Sequence, residues 1–225
     1  MRVGKSTAFD LIGPVMVGPS SSHTAGAVRL GQFARKILGA SPKAGRIILH
    51  GSFAETGKGH GTQLALAAGL MGMSTDDERI SRAISLAREQ GMKLIFSEAN
   101  LGDVHPNTVR FELMGEGDIR VTVTGSSIGG GRILISEIND FKVELAGDYP
   151  TIITLHRDLP GVIAQVTGCL AGAKINIARM WVAREKKGAE ALMVVETDHA
   201  ASPELLKTLN ELDNIIKVMS VEPLE

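Results

Sequence analysis

The sequence predicts an α/β protein of the α+β kind, with a mixed α/β domain over residues 1–147 followed by a βαββαβ domain over 148–225. Three observations lead there. AGDYP at 146–150 gathers glycine, aspartate and proline between two strand-like runs, FKVEL and TIITL, which marks a boundary. Strand and helix patterns alternate regularly after it. Before it, helical stripes are interleaved with strand pairs joined by glycine-rich turns.

In chain order, residues 22–38 read as a helix, because His23, Ala27, Leu30, Ala34 and Leu38 fall on one stripe. RIILHGS (46–52) reads as a buried strand running into a glycine-rich loop. GTQLALAAGLMG (61–72) is a short apolar helix, and DDERISRAISLAREQG (76–91) an amphipathic one stopped by Gly91. MKLIFSE, NTVRFELMG and DIRVTVTGS are strands, the last two a hairpin through GEGD, and RILISEIN and FKVEL follow. In the second domain TIITLH is a strand and RDLPG a turn. VIAQVTGCLAGA places apolar residues 162, 163, 166, 170 and 173 at helical spacing. KINIARMWVARE and AEALMVVET are strands, and SPELLKTLNEL is a helix with Ser202 as N-cap and Pro203 in its first turn. IIKVMSVEP closes an antiparallel four-stranded sheet with both helices on one face.

Composition narrows the function. The 24 basic and 25 acidic residues leave a net charge of −1, so no global field steers the chain to nucleic acid or anionic lipid. Aromatic content of 4% argues against base-stacking platforms. No apolar run approaches the ~20 residues that span a bilayer. The N-terminal MRVGKSTAFDLIGPVMVG lacks the pattern of a secretory signal, and a cytoplasmic protein is expected. The single cysteine, Cys169, excludes an intramolecular disulfide and a cysteine-ligated cluster built by one chain. It is expected on a helix face beside Val166 and Ala173 as a small buried apolar residue.

Four stretches could carry chemistry. In VGPSSSHTAGAVRLG (17–31), Ser20, Ser21, Ser22 and Thr24 surround His23 at a helix start, where free N–H groups and the helix dipole favour an anion. The positive helix end biases the His23 imidazole downward, toward a base-like role. A plain serine cap with a surface histidine is the alternative. HGSFAETGKGHGT (50–62) presents Lys58 and His60 among glycines, yet fails as a phosphate loop, since five residues separate Gly51 from Gly57 and Gly59 replaces Ser or Thr. HPN (105–107) sets His105 and Asn107 beside a proline, and GSSIGGGR (125–132) orders three glycines that an anion nest, a subunit contact or a bulged hairpin end would explain. Histidines 23, 50, 60 and 105 show no metal-binding spacing. In the second domain the LPG turn, Leu159 to Val162 with Gly161, leaves main-chain groups open, and Asn176 begins the next strand.

Together, GPSSSHTAGAVRLG, GSFAETGKGHGT, HPN and SIGGG resemble, in this order and along the whole chain, the beta subunit of iron–sulfur-dependent bacterial L-serine dehydratase. The first domain is also similar to the allosteric substrate-binding domain of some D-3-phosphoglycerate dehydrogenases. The second, with HRDLPGVIAQV and INIARM, resembles an ACT domain, a βαββαβ amino-acid-sensing module. The resemblance implies a two-chain enzyme that takes the α-proton of L-serine, expels its hydroxyl and yields pyruvate and ammonia. A [4Fe–4S] cluster would sit on the partner alpha subunit, as a Lewis acid toward the hydroxyl, with none bound by this chain. It further implies His23 as proton-transfer or carboxylate-binding group, supported by Ser20, Ser21, Ser22 and Thr24, with His60, Asn107 and glycines 129–131 at the same interface. Serine as effector would bind at the ACT domain around Leu159, Gly161, Val162 and Asn176, where a homodimer is expected. The alternative is a non-catalytic amino-acid-binding regulatory protein.

Overall fold

The computed structural model describes residues 14–224, apart from the side chain of Lys58. Most of the N-terminal stretch judged for a secretory signal therefore lies outside the described residues. Internal contacts divide the chain into Met1–Ser136 and Glu137–Glu225.

In the first unit the strands are β1 (Ala44–Leu49), β2 (Lys93–Glu98), β3 (Thr108–Met114), β4 (Arg120–Gly129) and β5 (Arg132–Ile138); the unit division falls inside β5. With β6 (Phe141–Leu145) they form one sheet in the order β2-β1-β3-β4-β5-β6. β1 pairs parallel with β2, because helices intervene between them, and antiparallel with β3, which pairs antiparallel with β4. One side of β1, β3, β4 and β5 is core. Ile47, Leu49, Val109, Phe111, Leu113, Val121, Val123, Ile133 and Ile135 alternate along it and are buried.

The helices covering that side are α1 (Ala27–Leu38), α2 (Ser52–Glu55), α3 (Gly57–His60), α4 (Thr62–Leu70) and α5 (Ala83–Glu89). α1 buries Val28, Leu30, Phe33, Ala34 and Ile37, whose spacing makes one apolar stripe. It crosses α4 with almost no side chain between. A Cβ on Gly31 would lie 2.5 Å from the Leu66 carbonyl oxygen, and one on Gly69 would overlap that of Val28. Side chains of α1 also finish α4, since Arg35 donates to the Leu70 carbonyl at 2.9 Å and Gln32 to that of Met73 at 2.8 Å.

The structure redraws three local readings. The first helix is capped by Ser20 and opens with a six-residue π-helical turn, Ser21–Gly26, before α1. The glycine-rich loop at 50–62 is folded into the turns α2 and α3, with Thr56 between them. The helix read over 76–91 is continuous only as α5. The Asp77 carboxylate accepts from Arg79 N–H and starts a separate tight turn, Glu78–Arg82.

The second unit contains β7 (Thr151–Arg157), α6 (Val162–Gly172), β8 (Ile177–Arg184), β9 (Glu190–Thr197), α7 (Pro203–Asn210) and β10 (Ile215–Val221). The antiparallel order β10-β7-β9-β8 is that of a βαββαβ fold. Ile152, Met193 and Val195 meet Val166 and Leu170 of α6 and Leu205 and Leu209 of α7, so both helices share one face. The α6 stripe is narrower than the sequence suggests: Val162, Val166 and Leu170 are buried, whereas Ile163 and Ala173 are exposed. Cys169 is half-buried against this core. The opposite sheet face is also covered at Ile153, Leu192, Val194 and Glu196. β6 lies against β8. Among the described residues no helix is long and apolar enough to cross a membrane.

Candidate functional site

His23 stands in the π-helical turn where two hydroxyl-bearing segments meet. Ser20 Oγ accepts from the His23 backbone N–H at 3.2 Å, and the same oxygen lies 3.4 Å from His23 Nδ1. The cap that starts the helix therefore also touches the imidazole. At the other edge of the ring, Nε2 is 3.0 Å from Thr56 Oγ1 and 3.3 Å from Ser52 Oγ. Ser52 and Thr56 are one helical turn apart, and the Thr56 hydroxyl donates to the Ser52 carbonyl at 2.8 Å. The Phe53 ring packs edge-on against His23, with centroids 5.3 Å apart.

His60 faces His23 at a centroid separation of 5.0 Å, and its Nδ1 is 3.2 Å from the Thr56 carbonyl oxygen. Burial first, and the facing His60 second, hold the His23 imidazole below its ordinary value, while a backbone hydrogen bond at Ser52 works the other way. His23 is thus half-buried and biased to the neutral, proton-accepting form, beside a second imidazole exposed to solvent.

Two further segments close in. Gly51, at φ +53°, brings the 50–56 segment against Pro106, whose carbonyl oxygen would lie 2.7 Å from a Cβ at Gly51. Asn107 follows, and its carbonyl accepts from Ser127 N–H at 3.0 Å. The Ser127 hydroxyl lies directly under Gly26 of the His23 turn. Three buried polar atoms in this region have no hydrogen-bond partner: Thr24 Oγ1, Asn107 Oδ1 and Ser127 Oγ. Each such buried orphan carries an energetic cost. Thr24 and His60 line a cleft of about 260 Å³ together with Gly18, Pro19, Gly59 and Leu64.

The residues singled out from sequence are placed as follows. Ser21 and Ser22 occupy the first two positions of the π-helical turn, half-buried, and Thr24 is buried. His23 and His60 come together. Asn107 reaches the same region through Ser127 and Gly26. His50 and His105 each hold a backbone N–H: His50 Nδ1 accepts from Leu101 N–H of a distant segment and His105 Nδ1 from Asn107 N–H of its own loop, both at 3.1 Å. Glycines 129–131 all have positive φ and turn the β4–β5 hairpin, with Arg29 donating to the Gly131 carbonyl. In the second unit, Leu159 is exposed, Gly161 sits at φ +95° before α6, and Val162 is core. Asn176 Nδ2 donates to Asp198 at 2.9 Å.

Ser52, Phe53 and Thr56 were not legible as site residues. Their signal was the i,i+4 pairing of two hydroxyls in SFAET, hidden by the surrounding glycines. Among the described residues, no group of three or more His, Cys, Asp or Glu could hold a metal ion.

Residues 7–90 match the family "Serine dehydratase beta chain", and residues 151–214 match the family "ACT domain". The chain is 45% identical over 216 residues to "Probable L-serine dehydratase, beta chain" of Bacillus subtilis, covering 96% of this chain and 97% of that one. It is 38% identical over 217 residues to "L-serine dehydratase, beta chain" of Peptoniphilus asaccharolyticus, covering 96% and 98%. A D-3-phosphoglycerate dehydrogenase of a Synechocystis strain is 26% identical, over 78% of this chain but only 32% of that one. With His23, Ser52 and Thr56 inside the first matched segment and a βαββαβ unit filling the second, the chain belongs to the serine dehydratase beta-chain family and carries an ACT domain.

Proposed function

We propose that this chain is the beta subunit of an L-serine ammonia-lyase, which converts L-serine to pyruvate and ammonia in company with an alpha subunit. The observation that carries the site is the His23–His60 pair, 5.0 Å apart and joined through Thr56. The reaction requires a base for the α C–H and a proton for the departing hydroxyl, which leaves as water. The enamine then tautomerises and hydrolyses. Two imidazoles of unequal burial suit that division: neutral His23 accepts a proton, and exposed His60 exchanges one with solvent. In this reading Ser20, Ser21 and Ser22 at the helix start bind the polar groups of substrate, with Thr24 and Asn107 supporting them.

The family is read as iron–sulfur-dependent, but the donors of this chain do not fit a cluster. Cys169 is the sole cysteine, and the described residues offer no metal-ligating group. The [4Fe–4S] cluster accordingly belongs to the alpha subunit in this reading. The ACT domain, over 148–225, supplies homodimerisation and a serine effector site around Leu159, Gly161, Val162 and Asn176, while residues 1–147 form the part facing the alpha chain. The cytoplasm is the proposed compartment.

The test is co-purification from a native extract. An iron-containing, cysteine-rich chain should accompany this one, and serine deamination should need both. Robust deamination by the isolated chain would overturn the two-chain reading.

A further inference from the structure

We infer that Thr56 is a positioning residue that fixes two imidazoles in opposite tautomers, leaving Nδ1 of His23 and Nε2 of His60 as the proton-accepting atoms. The catalytic consequence rests on the proposed role of those histidines. The tautomers themselves are properties of the chain alone.

The argument is a count of hydrogens. A carbonyl oxygen only accepts, so the contact of 3.2 Å between His60 Nδ1 and the Thr56 carbonyl requires the hydrogen of His60 on Nδ1. The Thr56 hydroxyl has one hydrogen, directed at the Ser52 carbonyl 2.8 Å away. Toward His23 Nε2, at 3.0 Å, the Thr56 oxygen is therefore an acceptor, and Nε2 carries the hydrogen. Ser52 Oγ, 3.4 Å from Thr56 Oγ1, can turn its own hydrogen there without disturbing the pattern. In the other tautomer Ser52 Oγ, 3.3 Å from Nε2, could turn its hydrogen to the ring, but the nearer Thr56 oxygen would still face the Nε2 lone pair across 3.0 Å or lose its own hydrogen bond to the Ser52 carbonyl.

The far edge of the ring agrees. Ser20 Oγ already accepts the His23 backbone N–H, so its own hydrogen is free to point at Nδ1, 3.4 Å away. The Nδ1 lone pair thus faces a donor, as a neutral base in waiting requires. Thr56 is itself held where α2 ends and α3 begins. Its N–H donates to the Ser52 carbonyl at 3.0 Å, and its carbonyl receives the N–H groups of Gly59 and His60. One residue clamps both rings, by its hydroxyl and by its main chain.

That division supplies an internal control. Thr56→Val deletes the hydroxyl and keeps the carbonyl. Long-range ¹H–¹⁵N correlation of the imidazoles in the full-length ¹⁵N-labelled chain, at a pH where both are neutral, should show Nε2–H for His23 and Nδ1–H for His60. H23Q and H60Q assign the signals. In T56V the His23 pattern should become mixed while His60 stays Nδ1–H, and T56S should restore the wild-type pattern. In the reconstituted two-chain enzyme T56V should lower kcat about tenfold or more and T56S little. A wild-type His23 carrying its hydrogen on Nδ1, or a T56V spectrum unchanged from wild type, overturns the assignment. Should T56V fail to fold, the wild-type spectrum alone decides. Tautomers as stated combined with normal turnover in H23A would uphold the clamp and sink the catalytic reading.

Discussion

The Cα of Gly26 rests on the hydroxyl of Ser127: a Cβ at Gly26 would overlap Ser127 Oγ, an oxygen that is fully buried and has no hydrogen-bond partner. This contact sets the His23 turn down on β4. Gly26→Ala should destabilise the fold by about 1–3 kcal/mol, the usual range for overpacking, and displace His23. Urea unfolding reads the first effect. Adding Ser127→Gly should recover part of the loss; a G26A chain as stable as wild type would contradict the contact.

His23→Ala should lower kcat of the reconstituted enzyme by about 10²-fold or more while leaving the far-UV circular dichroism and urea midpoint close to wild type. The ring packs on Phe53 and is half-buried, so a small stability loss is compatible; unchanged turnover is not.

Activity should fall on the acid side as His23 takes up a proton, with the limb below the ordinary imidazole value of 6.5. Removing the facing ring in His60→Gln lifts one of the two influences that depress His23, so the limb should move to higher pH even as turnover drops. Stability follows the same sign. His23 and His156 both have depressed values, so the unfolded chain binds more protons than the folded one as pH drops through and below 6.5. Their contribution is fully present above 6.5 and is lost as pH falls through the folded values. A urea midpoint that rose on acidification from pH 7 to 5.5 would contradict this.

Gly69→Ala should cost about 3 kcal/mol, or prevent folding, because its Cβ would meet the Val28 carbonyl of α1 with no flexible side chain to yield. Gly168→Ala, where a Cβ meets nothing within 4 Å, is the matched control and should be neutral or mildly stabilising in a helix interior.

Glu196 is 1% exposed, one of its carboxylate oxygens lacks a hydrogen bond, and burial pushes its acid up, with Asp148 adding to the push and Arg179 opposing it. An acid with a raised folded value loses stability as pH rises through that value. Glu196→Gln should therefore be more stable than wild type at pH 7.5, by about 1 kcal/mol, and show no such gain below pH 4.5. Paired thermal melts at the two pH values decide it.

Much of the second unit could be read from the chain. The strand run TIITLH and the Ser202–Pro203 start of α7 are local signals, and the folded chain keeps them. In the first unit His23 stood out because it follows three serines. Its partners did not, for a physical reason. Thr56 lies 33 residues away and meets His23 through the tertiary fold, in which α1 and α4 pack at Gly31 and Gly69. Ser52 and Thr56 sit in a stretch whose glycines suggest an open loop, yet Gly51 and Gly61 take positive φ so that short helical turns can form between them. The helix read over 22–38 in fact starts at Ser21 with Ser20 as its cap, because a π-helical turn accommodates residues that a 3.6-residue spacing would reject.

That turn works as a phase shifter. Each residue of a regular α-helix advances the side chains by about 100°, so a head continuing α1 in strict phase would face wherever the buried stripe dictated. The wide turn at Ser21–Gly26 breaks that lock, and the angular setting of His23 becomes independent of the stripe that Leu30, Phe33 and Ile37 must keep. Packing and chemistry can then be adjusted separately on one continuous rod. Deleting Ser21 or Ser22 from the turn would leave the core composition untouched and rotate the imidazole away from Ser52 and Thr56.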